Sequence, residues 1–115
     1  MSLKPVSDRQ LWVWFNRINR LAFKGKLKTT LEFVKTDEWI AATNRRIFRI
    51  LGSKNTKEVI FRVQVNEKIR FSRSLTVIAL AHEMIHVEHW PWSHGKKFEK
   101  RLLKVIRDAN LARFL

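Results

Sequence analysis

The sequence predicts a single α+β domain with helices towards both ends and a β-rich middle. Its 115 residues, 45% of them apolar, are enough for one compact core over residues 1–115 and few for two. Apolar residues recur at helical spacing near both ends, whereas between Leu27 and Phe71 the pattern becomes β-rich. No internal repeat, low-complexity tract or linker divides the chain. We therefore expect one core and one functional site.

The first predicted element is an amphipathic helix from Ser7 to about Phe23. Asp8 near its start and Gly25 just past its end are typical of helix boundaries. The apolar residues at helical spacing are Leu11, Phe15, Ile18 and Ala22. This helix should bury one face against the rest of the chain.

Three strands are predicted next, and we expect them to form a small antiparallel sheet. The clearest strand runs from Val59 to Asn66, because apolar residues alternate there with mostly polar ones. Its companions are Leu31 to Val34 and Ile47 to Leu51. The sequence Gly52-Ser53-Lys54-Asn55 indicates the turn between the strand that ends at Leu51 and the strand that begins at Val59.

A central helix and a last helix complete the predicted fold. Either Ser72 or Ser74 could cap the central helix. Its run from Leu75 to His89 is apolar almost all round until the histidines begin, and Pro91 ends it. After a short loop from Trp90 to Gly95, the last helix buries Phe98, Leu102, Val105, Ile106 and Ala109. Its other face carries Lys97, Lys100, Arg101, Lys104 and Arg107.

The strongest chemical signal is the sequence HEMIH inside the central helix. His82 and His86 lie one turn apart and about 40° around the helix, so both imidazoles can reach one metal ion. Glu83 projects from the same turn, where its carboxylate can accept a proton from a water whose pKa zinc lowers to about 7. Burying these polar residues without partners would cost several kcal/mol. The spacing therefore favours a catalytic zinc site.

Such a site usually needs a third protein ligand, for which the chain offers three candidates. His89 lies on the same face as the histidine pair but about 10 Å along the helix from His82. His94 lies beyond Pro91 and can fold back, with Gly95 giving the backbone freedom to do so. Glu99 is the third candidate. We expect His94 to be the ligand, with His89 and Glu99 as alternatives.

These motifs resemble those of the SprT-like zinc metallopeptidases, a family that includes the Spartan proteases of DNA–protein crosslinks. The family pattern is an N-terminal helix ending near Phe-x-Gly-x-Leu, a small sheet, HExxH, and a downstream His-Gly followed by Phe. The matching stretches here are Phe23 to Leu27, Val65-Asn66 at the end of the last strand, His82 to His86, His94-Gly95 and Phe98. The likeness covers most of the chain, and the motifs are specific as a set.

The resemblance implies a zincin-like minimal domain that binds one Zn²⁺ per chain. In this family's pattern, His82, His86 and His94 hold the zinc and Glu83 is the general base. The chain lacks the cysteine zinc ribbon of many members and is similar to the stand-alone minimal versions familiar from phage genomes. A phage source and a role in DNA repair are expectations that follow from this likeness.

The charge of the chain points to a polyanionic partner. Lys and Arg number 24 against 10 Asp and Glu, which gives a formal net charge of +14. DNA is the expected partner, because neutralising its phosphates releases condensed counterions. An anionic membrane surface is the weaker alternative.

Two absences in the sequence exclude other classes of protein. Without cysteine, the chain has no disulfide, no cysteine nucleophile and no cysteine-ligated metal. No stretch resembles a signal peptide or reaches the roughly 20 apolar residues of a membrane span. We therefore expect a cytoplasmic protein, in the host cytoplasm if the source is viral.

Two groups of basic residues are candidates for DNA binding. One is on the predicted sheet, and the other, which we favour, begins beside His94 at the start of the last helix. Their members are Arg45, Arg46 and Arg49 in the first, and Lys96, Lys97, Lys100, Arg101 and Lys104 in the second. Trp90 and Trp92 could stack on unpaired bases or wall a substrate cleft, although packing onto the core is the more usual role of such residues.

The sequence thus predicts a zinc metallopeptidase that hydrolyses proteins on or near DNA, and the resemblance to the Spartan proteases implies DNA–protein crosslinks as one kind of substrate. Glu83 would act on water at a zinc ion held by histidines. The alternative is a DNA-binding protein that keeps a zinc-bearing zincin-like fold without proteolysis. The sequence leaves the protein substrate and the oligomeric state open.

Overall fold

The computed structural model describes residues 4–49 and 57–115. In chain order its elements are α1 (Asp8–Ala22), β1 (Thr29–Val34), β2 (Ala41–Arg49), β3 (Lys57–Asn66), α2 (Arg73–Glu88) and α3 (Lys96–Asp108), with short 3₁₀ helices at Glu67–Phe71 and Leu111–Phe114. The predicted α+β class, with an N-terminal, a central and a C-terminal helix around a three-stranded sheet, is confirmed. The predicted turn at 52–55 lies outside the described residues.

Serine caps set the starts of the first two helices. The Ser7 hydroxyl accepts a hydrogen bond from the backbone N–H of Gln10 at 3.0 Å. The Ser72 hydroxyl accepts one from the N–H of Leu75 at 3.2 Å, so Ser72 rather than Ser74 caps α2. Each cap satisfies one of the N–H groups that the first helical turn leaves without a partner.

The sheet is mixed, and the prediction of a wholly antiparallel sheet was wrong. β3 lies between the other two strands and pairs antiparallel with β2 but parallel with β1. The physical reason is burial: Val63 and Val65 of β3 have no exposed surface, and the middle position covers this apolar strand on both sides. β3 folds back antiparallel to β2, which precedes it. In the middle position it therefore runs parallel to β1.

The sheet has one face towards the helices and one face open to solvent. Alternation along each strand puts Thr43 of β2 and Val63 of β3 on the helix side, where they are register partners. Asn44 and Arg62, also partners, are on the open side and are exposed. β2 extends further towards the N-terminus than the predicted strand from Ile47, and this extension positions Thr43.

Helix α2 is central, as its apolar sequence predicted. It contacts the sheet through β2 and β3, and it contacts α1 and α3. Leu80, Met84 and Ile85 have no exposed surface. Phe98, Val105 and Ala109 of the last helical segment are buried, as predicted, and Leu102 and Ile106 are partly buried against the same core. No helix in the described ranges is both long and apolar enough to cross a membrane.

Arg101 of α3 links this helix to the C-terminal ends of the other two helices. Arg101 of α3 donates two hydrogen bonds to the Glu88 carboxylate of α2, at 2.7 and 2.8 Å, and a third to the carbonyl of Ala22 at 2.7 Å. Its guanidinium also lies over the Phe23 ring, 4.7 Å from the ring centre. Arg101 therefore connects the C-terminal ends of α1 and α2 and is not part of the exposed basic face predicted for α3.

Replacing Arg101 by Gln should lower the free energy of unfolding by about 1–3 kcal/mol, because Glu88 and the Ala22 carbonyl lose a charged donor. Urea denaturation measures the change. Lys100→Gln is the matched control, since Lys100 is exposed, and it should alter stability by less than about 0.5 kcal/mol. Equal effects of the two substitutions would contradict the structural role of Arg101.

Candidate metal centre

Three histidines converge on one point at the surface of the core. The Nε2 atoms of His82 and His86 are 3.3 Å apart, and each lies 2.9 Å from Nε2 of His94. His82 and His86 come from successive turns of α2, and His94 folds back from the loop before α3. The prediction that these three residues lie close enough to share one metal ion is confirmed.

The donor set fits a zinc ion. Tetrahedral zinc with Zn–N bonds of about 2.0–2.1 Å places its nitrogen ligands about 3.3–3.4 Å apart. The three Nε2–Nε2 distances, between 2.9 and 3.3 Å, are close to that spacing. Three imidazoles with no sulfur ligand also match a known class of catalytic zinc site, which keeps a fourth position open.

Phe98 forms the floor beneath the three imidazoles. Its ring centre is 4.6 Å from that of His82, 4.8 Å from that of His86 and 5.0 Å from that of His94. Phe98 is 3% exposed. Because Phe98 belongs to the first turn of α3, its burial positions the loop that carries His94. The sequence had identified it as a core residue and as part of the family pattern.

Glu83 is buried beside the histidines and is held by β2. The Thr43 hydroxyl donates a hydrogen bond to Oε2 of Glu83 at 2.5 Å, and it is 3.3 Å from the Glu83 backbone carbonyl oxygen. Burial raises the pKa of the Glu83 carboxyl, while the hydrogen bond from Thr43 and the charge of His94 oppose that rise. A carboxylate with a raised pKa is a better proton acceptor.

Burial also favours the metal-binding form of His82 and His86. It lowers the pKa of His82 to about 4, and His86 and His94 add to the effect. It lowers the pKa of His86 as well, again with a contribution from His94. A metal ligand must be the neutral imidazole, so the environment favours coordination over protonation at neutral pH.

The two alternative ligands lie elsewhere. The His89 ring stacks on Trp92, with ring centres 3.7 Å apart and planes 7° apart, and its Nε2 is 3.1 Å from the Glu88 carboxylate. Glu99 is exposed on α3. Neither residue belongs to the group of potential metal ligands found among the described residues.

A cavity of about 460 Å³ surrounds the three histidines and Glu83. Trp90 and Trp92 form part of its wall, as one of the two sequence interpretations expected. Residues of β2 form another part, from Ala41 to Thr43. The Trp90 ring also packs against Phe61, with ring centres 5.8 Å apart. Both tryptophans therefore combine packing with a position at the candidate site.

The basic residues of β2 alternate between the two faces of the sheet, but the side chains of Arg45 and Arg46 line one cavity. Arg45 lies over Trp90, with Cζ 5.0 Å from the ring centre, and Arg46 is on the open face. Arg49 is the last residue of β2, and its side chain falls outside the described part of the structure. Arg62, which the sequence interpretation had not selected, joins Arg45 and Arg46 around a cavity of about 400 Å³. Only the strand register could show this grouping.

The basic residues near His94 form a more continuous exposed surface. Lys97, Lys100 and Lys104 follow one another at helical spacing on α3, and all three are exposed. Lys96 is exposed at the start of the same helix. Arg101 is half-buried in its contact with Glu88. The favoured group therefore keeps four of its five members at the surface.

No protein-family model matches the chain, and searches of curated proteins and of solved structures found no match either. Thr43 is the residue at the centre that sequence reasoning missed. It lies in an Ala-Ala-Thr-Asn stretch with no clear alternation of apolar and polar residues, so no local pattern predicted a strand beside Glu83.

The metal-free protein should lose stability as the pH falls from about 6.5 towards 4. The unfolded chain binds a proton at His82 near its ordinary pKa of 6.5, whereas the folded chain resists protonation until about pH 4. The stability that neutral His82 contributes is therefore fully present above pH 6.5 and is lost as the pH falls towards 4. His86 acts in the same direction, and Glu83, whose pKa is raised, acts in the opposite one.

Denaturant unfolding in the presence of a chelator, at pH 7 and pH 5, measures this effect. The loss of stability between the two pH values should be smaller in His82→Gln than in the native chain. The same pH dependence in both proteins would contradict the effect of burial on His82.

Proposed function

We propose that this chain is a zinc metallopeptidase of the SprT-like type, with His82, His86 and His94 as ligands and Glu83 as general base. The observation that carries the proposal is the convergence of three Nε2 atoms within 3.3 Å of one another, beside a buried carboxylate in the same cavity. When bound, zinc lowers the pKa of a coordinated water to about 7 and polarises the substrate carbonyl.

Glu83 supplies the proton transfers of the proposed hydrolysis. Thr43 holds Oε2, and Oε1 is the carboxylate oxygen that this hydrogen bond leaves available. Glu83 accepts a proton from the attacking water and delivers it to the amide nitrogen as the C–N bond breaks. Burial raises the pKa of Glu83 and so favours the first of these transfers.

The edge of the sheet supports a polypeptide as substrate. In the described residues, β2 pairs only with β3, so its other edge has free backbone donors and acceptors. Its first residues, Ala41 to Thr43, line the cavity at the histidines. An extended polypeptide that pairs with this edge would pass directly beside Glu83.

Replacing Glu83 by Gln should lower cleavage of a DNA-bound basic protein, such as histone on DNA, by at least about 100-fold, since general base catalysis typically contributes 10²–10⁴. Zinc content should stay near one per chain. Glu99→Gln is the matched control, because Glu99 is exposed on α3, and it should keep both zinc and cleavage.

Cleavage that persists in Glu83→Gln would contradict the proposed role of that residue. Zinc and DNA binding without cleavage by the native chain would instead support the alternative, a non-proteolytic DNA-binding protein with the same fold.

We further propose that DNA lies along Lys97, Lys100 and Lys104. These side chains share one exposed face of α3, within one to three helical turns of His94. The chain carries a formal charge of +14, so its field attracts DNA from all directions, and local contacts must define where the DNA settles. DNA held on this face would bring its bound proteins near the candidate centre.

The double substitution of Lys97 and Lys100 by Gln should reduce the slope of log K against log salt by about two for duplex DNA, at about 0.9 for each lost phosphate contact. Fluorescence anisotropy at several salt concentrations measures it. The double substitution of Arg9 and Arg20 by Gln is the control, because both residues are exposed on α1 and the loss of charge is the same. It should leave the slope unchanged. Equal changes in both variants would indicate net charge rather than a defined contact.

A further inference from the structure

A second hollow opens beside the candidate metal centre. It has a volume of about 330 Å³ and shares Ala41, His82 and Glu83 with the cavity at the histidines. The rest of its lining is apolar and consists of Ile40, Leu75, Ile78 and Ala79. A molecule that occupies the cavity at the histidines therefore has direct access to an apolar surface.

One wall of the hollow is a stripe of α2 that ends at the metal ligand. Leu75, Ile78, Ala79 and His82 follow the helical spacing i, i+3, i+4, i+7 and so lie on one face. Glu83 is the next residue along the helix. Because α2 is buried in the core along its other faces, this wall is fixed relative to the histidines.

The opposite wall is held by a buried asparagine. The backbone N–H of Asn66 donates to the carbonyl of Ile40 at 2.7 Å, and its side-chain amide donates to the carbonyls of Thr36 and Trp39 at 2.9 and 2.7 Å. Asn66 is 6% exposed. These three hydrogen bonds fix the segment between β1 and β2, so the hollow exists before any ligand binds.

The two walls leave large apolar side chains facing solvent. Ile40 is 54% exposed and Leu75 is 42% exposed, and both line the hollow. Among the lining residues that the structure describes, Glu83 is the sole carboxylate and there is no lysine or arginine. The volume is near the lower limit of about 300 Å³ for small-molecule pockets. The hollow therefore suits one large apolar side chain rather than a longer segment.

We propose that this hollow binds one large aliphatic or aromatic side chain of the polypeptide substrate, next to the bond that is cleaved. The proposal rests on the proposed peptidase function and names the residue that the site selects. The occupant follows from continuity: an extended chain along the edge of β2 reaches Ala41 and the hollow together, one side chain away from Glu83. Cleavage then occurs beside residues such as Leu, Met or Phe, even in a substrate protein rich in Lys.

A pair of small zinc-binding probes tests the selection without relying on proteolysis. Leucine hydroxamate and glycine hydroxamate share the same metal-binding group and differ only in an isobutyl side chain. Isothermal titration calorimetry on the zinc-loaded protein should show that leucine hydroxamate binds at least about tenfold more tightly, because its side chain leaves water.

Three variants of the same chain locate the preference. Leu75→Asp and Ile40→Asp place a charge on opposite walls of the hollow, and each should reduce the preference to less than about threefold, since the carboxylate removes an apolar contact and would lose water when the isobutyl group binds. Both positions are partly exposed, so the two variants provide independent tests if one of them folds poorly. Leu103→Asp is the matched control, 67% exposed on α3 and outside the hollow, and should keep the tenfold preference.

Equal affinities of the native protein for the two hydroxamates would overturn the proposal, as would a preference that survives in both wall variants. Because the probes report binding, a protein that prefers leucine hydroxamate but cleaves nothing would keep the apolar hollow while contradicting the peptidase function. A protein that cleaves DNA-bound protein yet binds both probes equally would support the peptidase function while contradicting the selective hollow.

Discussion

The burial of α2 between the sheet and the flanking helices is the constraint on which the candidate site depends. Side chains such as Leu80 and Met84, which have no exposed surface, fix both the position and the rotation of the helix. That rotation directs His82 and His86 towards one cavity. Phe98 then completes the arrangement, since its burial beneath the imidazoles brings the loop with His94 back to the same point.

The same packing sets the chemistry of the site. Partial burial lowers the pKa values of His82 and His86 and raises that of Glu83, so the histidines are ready to bind metal and the carboxylate is ready to accept a proton. Thr43 limits the effect on Glu83 by donating to its carboxylate. β2 thus serves two purposes, because it positions Glu83 through Thr43 and, within the described residues, pairs with β3 alone and leaves its other edge unpaired along the cavity.

Local signals in the sequence predicted the helices and the histidine centre well. Caps, periodicity and the Pro91 break marked the helices, and helical geometry disfavoured His89 as a partner for His82. The strand order could not be predicted in this way, because β3 takes the middle of the sheet for the burial of Val63 and Val65, and that is a property of the whole fold. The pairing of Arg101 with Glu88 and the contact of Thr43 with Glu83 likewise join segments that are distant in sequence.

Zinc K-edge X-ray absorption spectroscopy on the zinc-loaded protein tests the central claim most directly. We expect three imidazole nitrogens and one further oxygen at about 2.0–2.1 Å, in tetrahedral geometry. The imidazole contribution should fall to two in His94→Ala and stay at three in His89→Ala. A native spectrum with fewer than three imidazoles, or the loss of one in His89→Ala, would contradict a centre formed by His82, His86 and His94.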